Sequence, residues 1–532
     1  MPAARAHRLT TFRGFPPFRA PATARDVRAL WERRLDGAPS DYPIWMHVHV
    51  PFCPQICTFC HCGKELLRRS SDLDAWLVRI RDEATYFADA LRGTRIQHQY
   101  FGGGTPNLLS PAQLDSLLDL LEERFDHSTV ERRTLEILPS AYRDGTVEVA
   151  VRHGIRRLSC GVQSTDVHAL REVGRQPDLE MLAHILERAQ TLGVNDVNID
   201  LAWGLPGDTE EGLFRSLSAV LALEPTSVSI HLLIPTPKYS AFRTESEARD
   251  IYSRFRALPE YPHDHSDSAP LGRFAWYKLP TVVAVVAKDY VARGEYRSFQ
   301  YSDMETVGMD MLGLGRYALS HVLGRARYEN MTAVDRFDAS EPGYRLAYVD
   351  GVVDGALDAL ADLLRDGTCD FASIERRYAP EGLEAIRSVL DALTAEGYLA
   401  RADGTYAGPG ITADVFGPAG DFVDLALSRA VMLNPGAAVA DRPQGPGAAS
   451  FELEFAGTSV AIRLEKARPS QTYFATVGAF GISHERLEGP SPPGLVPAME
   501  RLTALLGDLV SERPRTLPEL ASELRRRLPG SR

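Results

Sequence analysis

Between Tyr42 and Pro235 the sequence alternates between short apolar runs and longer segments with an apolar stripe at helical spacing. The strand-like runs are 44–50, 95–101, 133–138, 156–162, 194–201 and 227–234. The first helical segment, 71–92, carries Leu73, Trp76, Leu77, Ile80, Ala84, Phe87 and Leu91 on one face. The second opens with Ser110 as N-cap, Pro111 at its first position and Gln113 closing a capping box. Its stripe is Leu114, Leu117, Leu118, Leu121 and Phe125. Further helical segments lie near 145–153, 165–192 and 209–223, the last capped by Thr209. Strands that alternate with helices pair in parallel through right-handed crossovers. Such a series closes fully or partly into a barrel, with reactive groups at the strand C-termini.

The chain has only six cysteines, and Cys53, Cys57, Cys60 and Cys62 fall within ten residues directly after the first strand. Cys160 and Cys369 are scattered and read as buried bystanders. In a reducing compartment a tight cluster reads as metal or redox chemistry rather than a disulfide framework. The spacing C-x3-C-x2-C-x-C lacks the second knuckle of a structural zinc site. Three thiolates on one short loop suit a cubane iron–sulfur cluster with one iron left open, the alternatives being a zinc knuckle or a packed cysteine cluster. Other polar candidates also stand where strands end: the glycine run Gly102–Gly104 and Thr105, then Glu136, Gln163 and Asp200.

The net charge of −12 argues against a polyanionic partner, so no nucleic acid is expected. The longest apolar run, Val282–Ala287, is too short to span a bilayer. Residues 1–25 hold five arginines and no acid, but their prolines would break a transit-peptide helix. A cytoplasmic protein is expected. Beyond a 1–41 extension and the 42–240 core, a connecting region runs over 241–368, with strand-like RSFQY at 297–301 and Gly313-Leu314-Gly315. Residues 369–433 read as a winged-helix-like module with Ala400–Tyr406 as the wing. Its would-be recognition helix, 381–396, carries four acids and one arginine, which favours a packing module over DNA binding. A Pro/Gly/Ala linker at 434–450 precedes a small α+β unit, 451–532, that opens with a hairpin turning at Ala456-Gly457-Thr458.

The C-x3-C-x2-C loop after a strand resembles the radical S-adenosylmethionine (SAM) superfamily. The longer stretch HVHVPFCPQICTFCHC resembles the oxygen-independent coproporphyrinogen III oxidase (HemN-like) family within it. Supporting segments follow in order: YFGGGTPNLLS (100–110), LEILP (135–139), RRLSCGVQS (156–164), GRQ (174–176), NIDLAWGLPGDT (198–209) and MLGLGRYALS (311–320). The resemblance covers about residues 40–420. It implies a partial (β/α)6 radical SAM barrel of α/β class, a 4Fe–4S cluster on Cys53, Cys57 and Cys60, and one SAM chelating the open iron. A 5′-deoxyadenosyl radical would form and take hydrogen from unactivated carbon, chemistry that the cofactor carries while the protein positions it. Gly103, Gly104 and Thr105 then match the SAM cradle, and Glu136 the position that holds the first SAM. A second SAM is implied at Phe59, Gly104, Thr105, Gln163, Arg175 and Asp200, and Ile234 falls among the cofactor-binding positions. Arg175 would pair with a carboxylate and Asp200 with a ribose or amine. The family also implies a small-molecule substrate and an electron donor such as flavodoxin or ferredoxin.

Some positions depart from the family pattern. His47 stands where the oxidases have a tyrosine near the first SAM, so its expected role is cofactor contact or packing. QYSDMET (300–306) only loosely resembles the oxidase signature, and 451–532 has no counterpart there. Cys62 matches the oxidases' fourth cysteine. These departures favour one-carbon transfer from the second SAM to an sp2 carbon, as in class C radical SAM methyltransferases. Oxidative decarboxylation of coproporphyrinogen III is the alternative. A haem chaperone without turnover is a further one, disfavoured by Cys62 where such relatives carry an aromatic residue.

Overall fold

The computed structural model describes residues 20–233 apart from 61 and 177, and beyond them 273–278, 282–293, 310–322, 326–331, 337–348, 368–377, 399–407, the strands between 448 and 488, and a few single positions. The expected strand at 297–301, most of helix 381–396, the linker up to 447 and Ile234 lie outside the described residues.

Six core strands form where the alternation calls for them: β1 (Tyr42–Val50), β2 (Thr94–Gly103), β3 (Arg132–Ile137), β4 (Arg157–Gln163), β5 (Asp196–Trp203) and β6 (Ser227–Leu232). They pair in parallel and in sequence order. The crossovers are α1 (Ser70–Ala88), α2 (Pro111–Arg124), α3 (Thr146–Arg152), α4 (Leu179–Thr191) and α5 (Glu210–Leu221). Their caps are those the sequence offers. The Ser110 hydroxyl accepts from Gln113 N while the Gln113 side chain accepts from Ser110 N, and Thr209 accepts from Gly212 N. The helical stretch 165–192 is two helices, Val167–Glu172 and α4, because Gly174 turns left-handed (φ 73°) between them.

Alternation along the strands separates two faces. Val197, Ile199, Leu201 and Trp203 of β5, with Val228 and Ile230 of β6, pack into one core with Leu182 and Ile185 of α4 and Leu213 and Leu217 of α5. Each such buried aliphatic contributes roughly 1.5–3 kcal/mol. The intervening residues, Asn198, Asp200, Ser227, Ser229 and His231, face the other way, into the interior of the half-barrel. Polar side chains survive there because they bond one another rather than the helices.

The sheet is larger than six strands. β7 (Phe274–Lys278) and β8 (Val282–Ala287) form an antiparallel hairpin on the β6 edge. On the other edge β9 (Asp310–Leu314) adds a seventh parallel strand beside β1. Antiparallel β10 (Leu319–Val322), β11 (Ala326–Asn330), β12 (Pro342–Tyr348) and the segment Ala20–Thr23 follow, giving thirteen strands in one open order among the described residues. The N-terminal extension is therefore knitted into the core. Its helix Ala24–Leu35 buries Val27, Leu30 and Trp31, and Trp31 Nε1 donates to Tyr328 Oη at 2.8 Å. Thr368–Asp370, Ala400–Ala402 and Thr405–Ala407 make a three-stranded sheet beside helix Phe371–Arg377, with Ala400–Ala407 as its hairpin. Among the described residues the C-terminal strands from Ala448 to Glu488 form a five-stranded antiparallel sheet in chain order, in which Ala448–Phe455 pairs with Thr458–Lys466 as the expected hairpin requires. Among the described residues no helix is long and apolar enough to cross a membrane.

Candidate active site

The cysteine loop leaves the C-terminal end of β1 and is closed at its base. Phe52–Cys53 pairs in parallel with Glu65–Leu66, and Leu67 N donates to the Cys53 carbonyl at 2.9 Å. His49 Nε2 lies 2.8 Å from the Gly63 carbonyl. Tyr317 Oη donates to Glu65 Oε1 at 2.8 Å, and Arg316 pairs with the same oxygen. β9 and the residues after it therefore brace the loop, a part that local spacing does not reveal. Thr58 N donates to the Val173 carbonyl at 3.3 Å on the far side.

Three thiols converge within this frame. Burial pushes Cys53 up to about 11, against a hydrogen bond with Thr105. Burial also raises Cys57, opposed by the Arg175 guanidinium. Cys60 is lowered by a hydrogen bond from the Cys62 thiol and by the Lys64 ammonium, while Cys62 is raised by the same pairing. The Cys62 residue is exposed, yet its thiol turns inward to Cys60. Lys64 Nζ donates to the Cys60 carbonyl at 2.7 Å. Its charge acts on Cys53, Cys57 and Cys60 alike. Three thiols on one loop, two cations beside them and a fourth thiol bonded to one of the three fit an iron–sulfur cluster, whose ligands must be thiolates.

The glycine run passes beside this loop. Gly104 N donates to Val50 O at 2.7 Å, and a Cβ at Gly104 would fall 2.6 Å from Phe52 O and 2.8 Å from Val50 O. Gly103 is left-handed (φ 104°), which turns its N–H to Glu136 Oε2 at 3.2 Å. The other oxygen, Oε1, accepts from Tyr100 Oη at 2.5 Å. Burial pushes Glu136 up to about 7 against that hydrogen bond. Tyr100 is the register partner of His47, and the two rings are 6.2 Å apart. His47 is fully buried, 5.5 Å from the His49 ring, and burial holds it well below the usual imidazole value.

Further round the sheet, Gln163 adopts φ 74° at a register shift in β4. Left-handed backbone at a non-glycine residue is strained and clusters at functional sites. Gly161 brings Gln163 together with Arg175: a Cβ there would lie 3.2 Å from both the Gln163 amide and Arg175 Nη2. Arg175 donates to the Gly161 carbonyl and also bonds the Cys57 thiol. Phe59 packs with Leu170, Val173, Ala202 and Leu205, and Cys57, Cys60 and Leu233 close over them. Asp200 Oδ1 accepts from Asn198 Nδ2 at 2.8 Å and faces His231 Nε2 at 3.1 Å, while Oδ2 accepts from Ser159 Oγ at 2.8 Å. Burial would raise Asp200, but His231 and Ser159 hold it below the usual carboxylate range. The structure thus gathers the cysteines, Phe59, Gly103, Gly104, Thr105, Glu136, Gln163, Arg175 and Asp200 at one end of the parallel strands. Sequence reasoning missed Lys64, Tyr100 and His231. The signal for Tyr100 and His231 is register, which sets Tyr100 beside His47 and His231 beside Ala202, whereas Lys64 sits in the cysteine loop itself, two residues after Cys62.

A parallel half-barrel with a cysteine triad after its first strand and a glycine cradle after its second defines a radical SAM enzyme, a class that uses a 4Fe–4S cluster and SAM. A family model described as the radical SAM superfamily matches residues 47–218. The chain is 31% identical over 326 residues to the oxygen-independent coproporphyrinogen III oxidase of Pseudomonas aeruginosa, covering 60% of this chain and 70% of that one. It is 31% identical over 301 residues to the Salmonella typhimurium enzyme of the same name, covering 56% and 65%. To the Escherichia coli enzyme it is 31% identical over 211 residues, covering 40% and 46%. In structure it is similar to the Escherichia coli coproporphyrinogen III oxidase HemN, described as a radical SAM enzyme, with a TM-score of 0.55 and 23% identity over 72% of this chain and 90% of that one. The chain belongs to the oxygen-independent coproporphyrinogen III oxidase (HemN-like) family. Its matches span 46% and 65% of the length of the Escherichia coli and Salmonella relatives.

Proposed function

We propose that this enzyme removes hydrogen from an unactivated carbon of a propionate-bearing tetrapyrrole precursor and releases CO2, as the names of its relatives suggest. The carrying observation is the strand-end set of Cys53, Cys57, Cys60, Gly103, Gly104, Thr105 and Glu136, in a chain 31% identical to an oxidase over 70% of that enzyme's length. Cys53, Cys57 and Cys60 would hold the cluster, which would supply the electron for reductive cleavage of SAM. The chain's own residues do the rest. Glu136, oriented by Tyr100 and Gly103 N, would accept from the amino group of the first SAM. Lys64 and Arg175 offset the negative charge of the ligating thiolates. Gln163, Arg175, Phe59 and Asp200 line the volume assigned to a second SAM. The wall of Phe59, Leu170, Ala202 and Leu205 keeps water from the reacting carbon. After hydrogen is lost, one electron leaves the substrate as CO2 departs, so the reaction needs a one-electron acceptor. Flavodoxin or ferredoxin in the cytoplasm suits the reducing side.

A second reading, one-carbon transfer from the second SAM to an sp2 carbon, is favoured by position 47. It holds a fully buried imidazole instead of the oxidases' tyrosine. The test is anaerobic reconstitution with iron and sulfide, then dithionite and excess SAM with or without coproporphyrinogen III, read by mass spectrometry. Vinyl products with 5′-deoxyadenosine and no S-adenosylhomocysteine are expected. S-adenosylhomocysteine beside 5′-deoxyadenosine, with the porphyrinogen untouched, would replace this reading with one-carbon transfer.

A further inference from the structure

Two backbone bonds close the cysteine loop into a ring. Glu65 N donates to the Pro51 carbonyl at 2.7 Å and Leu67 N to the Cys53 carbonyl at 2.9 Å, so residues 51–67 form one cycle that carries Cys53, Cys57 and Cys60. The returning arm of this ring, 63–67, is tied to the turn after β9 through the Glu65 side chain. Glu65 Oε1 accepts from Tyr317 Oη at 2.8 Å and pairs with the Arg316 guanidinium, whose side chain is only 9% exposed. Tyr317 also presses on the arm directly: a Cβ at Gly63 would overlap the Tyr317 Cβ and Cγ, so only glycine fits there. The His49 ring stands edge-on to Tyr317 at 6.3 Å and bonds the same Gly63 through its carbonyl.

The turn itself is fixed from the core. Gly315 is left-handed (φ 93°), and a Cβ there would sit 2.5 Å from the His49 carbonyl oxygen. Its N–H donates to Glu83 Oε2 at 2.9 Å, while Glu83 Oε1 accepts from Asn330 Nδ2 and Tyr344 Oη, both at 2.8 Å. Tyr317 is left-handed as well (φ 66°), and its N–H donates to the Asn330 carbonyl at 2.6 Å. Left-handed backbone at a tyrosine is costly. It persists where surrounding bonds over-determine it, and it clusters at ligand clamps and active sites.

We propose that Glu65, Arg316 and Tyr317 are positioning residues, a clasp that holds the cysteine loop in its ligating shape, and that opening of this clasp limits exchange of the iron–sulfur cluster. A chelator reaches iron on this loop through local opening, which the clasp opposes, and not through unfolding of the whole chain. The proposal rests on the assignment of the cluster to Cys53, Cys57 and Cys60, and it holds whichever substrate the enzyme takes.

Cluster loss from the reconstituted protein into excess EDTA, followed anaerobically by visible absorbance, reads this opening. Urea unfolding of the cluster-free protein reads the fold separately. Glu65→Gln is expected to speed cluster loss about tenfold, the worth of one hydrogen bond to a charged acceptor. Tyr317→Phe keeps the ring over Gly63 and loses only the hydroxyl, so about threefold is expected, less than for Tyr317→Ala. Gly63→Ala alters no partner of Glu65 but displaces Tyr317, and is expected to match Tyr317→Ala. Glu65→Gln combined with Arg316→Gln should lose its cluster no faster than the faster of the two single variants, because both break one contact. The urea midpoint is expected to stay at the wild-type value in Glu65→Gln and Tyr317→Phe. Wild-type rates of cluster loss in Glu65→Gln and Tyr317→Ala would overturn the proposal. A urea midpoint that falls in step with faster loss would overturn it too, since the three residues would then be ordinary contacts of the fold. A wild type that takes up no iron and sulfide would instead overturn the cluster assignment, and the proposal with it.

Discussion

Tyr100 Oη donates to Glu136 Oε1 at 2.5 Å, across two neighbouring parallel strands and at the level of the glycine cradle. The bond leaves Glu136 held at both oxygens, since Gly103 N occupies Oε2. Tyr100 stands beside His47 in register, so a phenol still reaches this floor although position 47 has none. Tyr100→Phe should leave cluster loading unchanged and weaken binding of the first SAM about tenfold, since a hydrogen bond to a charged acceptor contributes roughly 1.5–3 kcal/mol. Anaerobic dialysis measures this. An unchanged Kd would show that Gly103 N alone orients the carboxylate.

The protonation of Glu136 gives a pH signature. Burial raises its value from the ordinary 4.5 to about 7, with Tyr100 opposing and Asp200 adding to the rise. Across that interval the folded state binds a proton that the unfolded state has released. Stability therefore falls as pH rises from 4.5 towards about 7 and then levels off. The cluster-free protein should lose stability on the order of 3 kcal/mol from this group over that window. Glu136→Gln should remove that part of the slope. Urea titrations of both proteins at pH 5 and pH 8 test it, and parallel pH profiles would refute the assignment.

On the proposed assignment Cys53, Cys57 and Cys60 bind the cluster and Cys62 tunes Cys60. Cys53→Ala, Cys57→Ala and Cys60→Ala should each abolish the cluster and all formation of 5′-deoxyadenosine. Cys62→Ser should still load iron and sulfide, because its thiol acts on Cys60 through a hydrogen bond that a hydroxyl can replace. Iron analysis and electron paramagnetic resonance of the reduced protein decide this. A Cys62→Ser protein without iron would make Cys62 a ligand.

Much of this arrangement was legible because it is local. Short apolar runs marked β1 to β6, and apolar stripes such as Leu114, Leu117, Leu118 and Leu121 of α2 marked the helices between them. The cysteine loop, glycine run and Glu136 could be named because each sits in its own short motif. What stayed hidden depends on pairing at a distance. β9, with its short sequence DMLGL, becomes a strand only because β1 offers it an edge. Ala20–Thr23 contains Pro21 and would read as a loop, yet it borders β12 on a sheet edge, where proline is tolerated. Tyr100–Glu136 and Asp200–His231 join residues 36 and 31 positions apart. No spacing rule links them until the strand register is known. The left-handed backbone of Gln163 was equally unreadable, since it arises from a register shift between β4 and β5.

At the opposite end of the strands Asp196 ties three elements together. Its Oδ1 accepts from Arg157 Nη1 at 2.5 Å, and its Oδ2 from Arg132 Nη2 at 2.6 Å and Tyr290 Oη at 2.8 Å. Burial would raise its value, but the two guanidiniums hold it below the usual carboxylate range. Its contribution to stability is therefore present above the unfolded carboxylate value and lost as pH falls through the lower folded one. Asp196→Asn removes the carboxylate that two buried guanidiniums share, which costs roughly 3–5 kcal/mol. Thermal and urea unfolding should show this loss at neutral pH, and acid should narrow the gap to the wild type. Because the group lies at the strand N-termini, away from the cysteine loop, the folded fraction should still load its cluster and bind SAM normally. A variant as stable as the wild type would mean that Tyr290 and solvent satisfy the two arginines without the carboxylate.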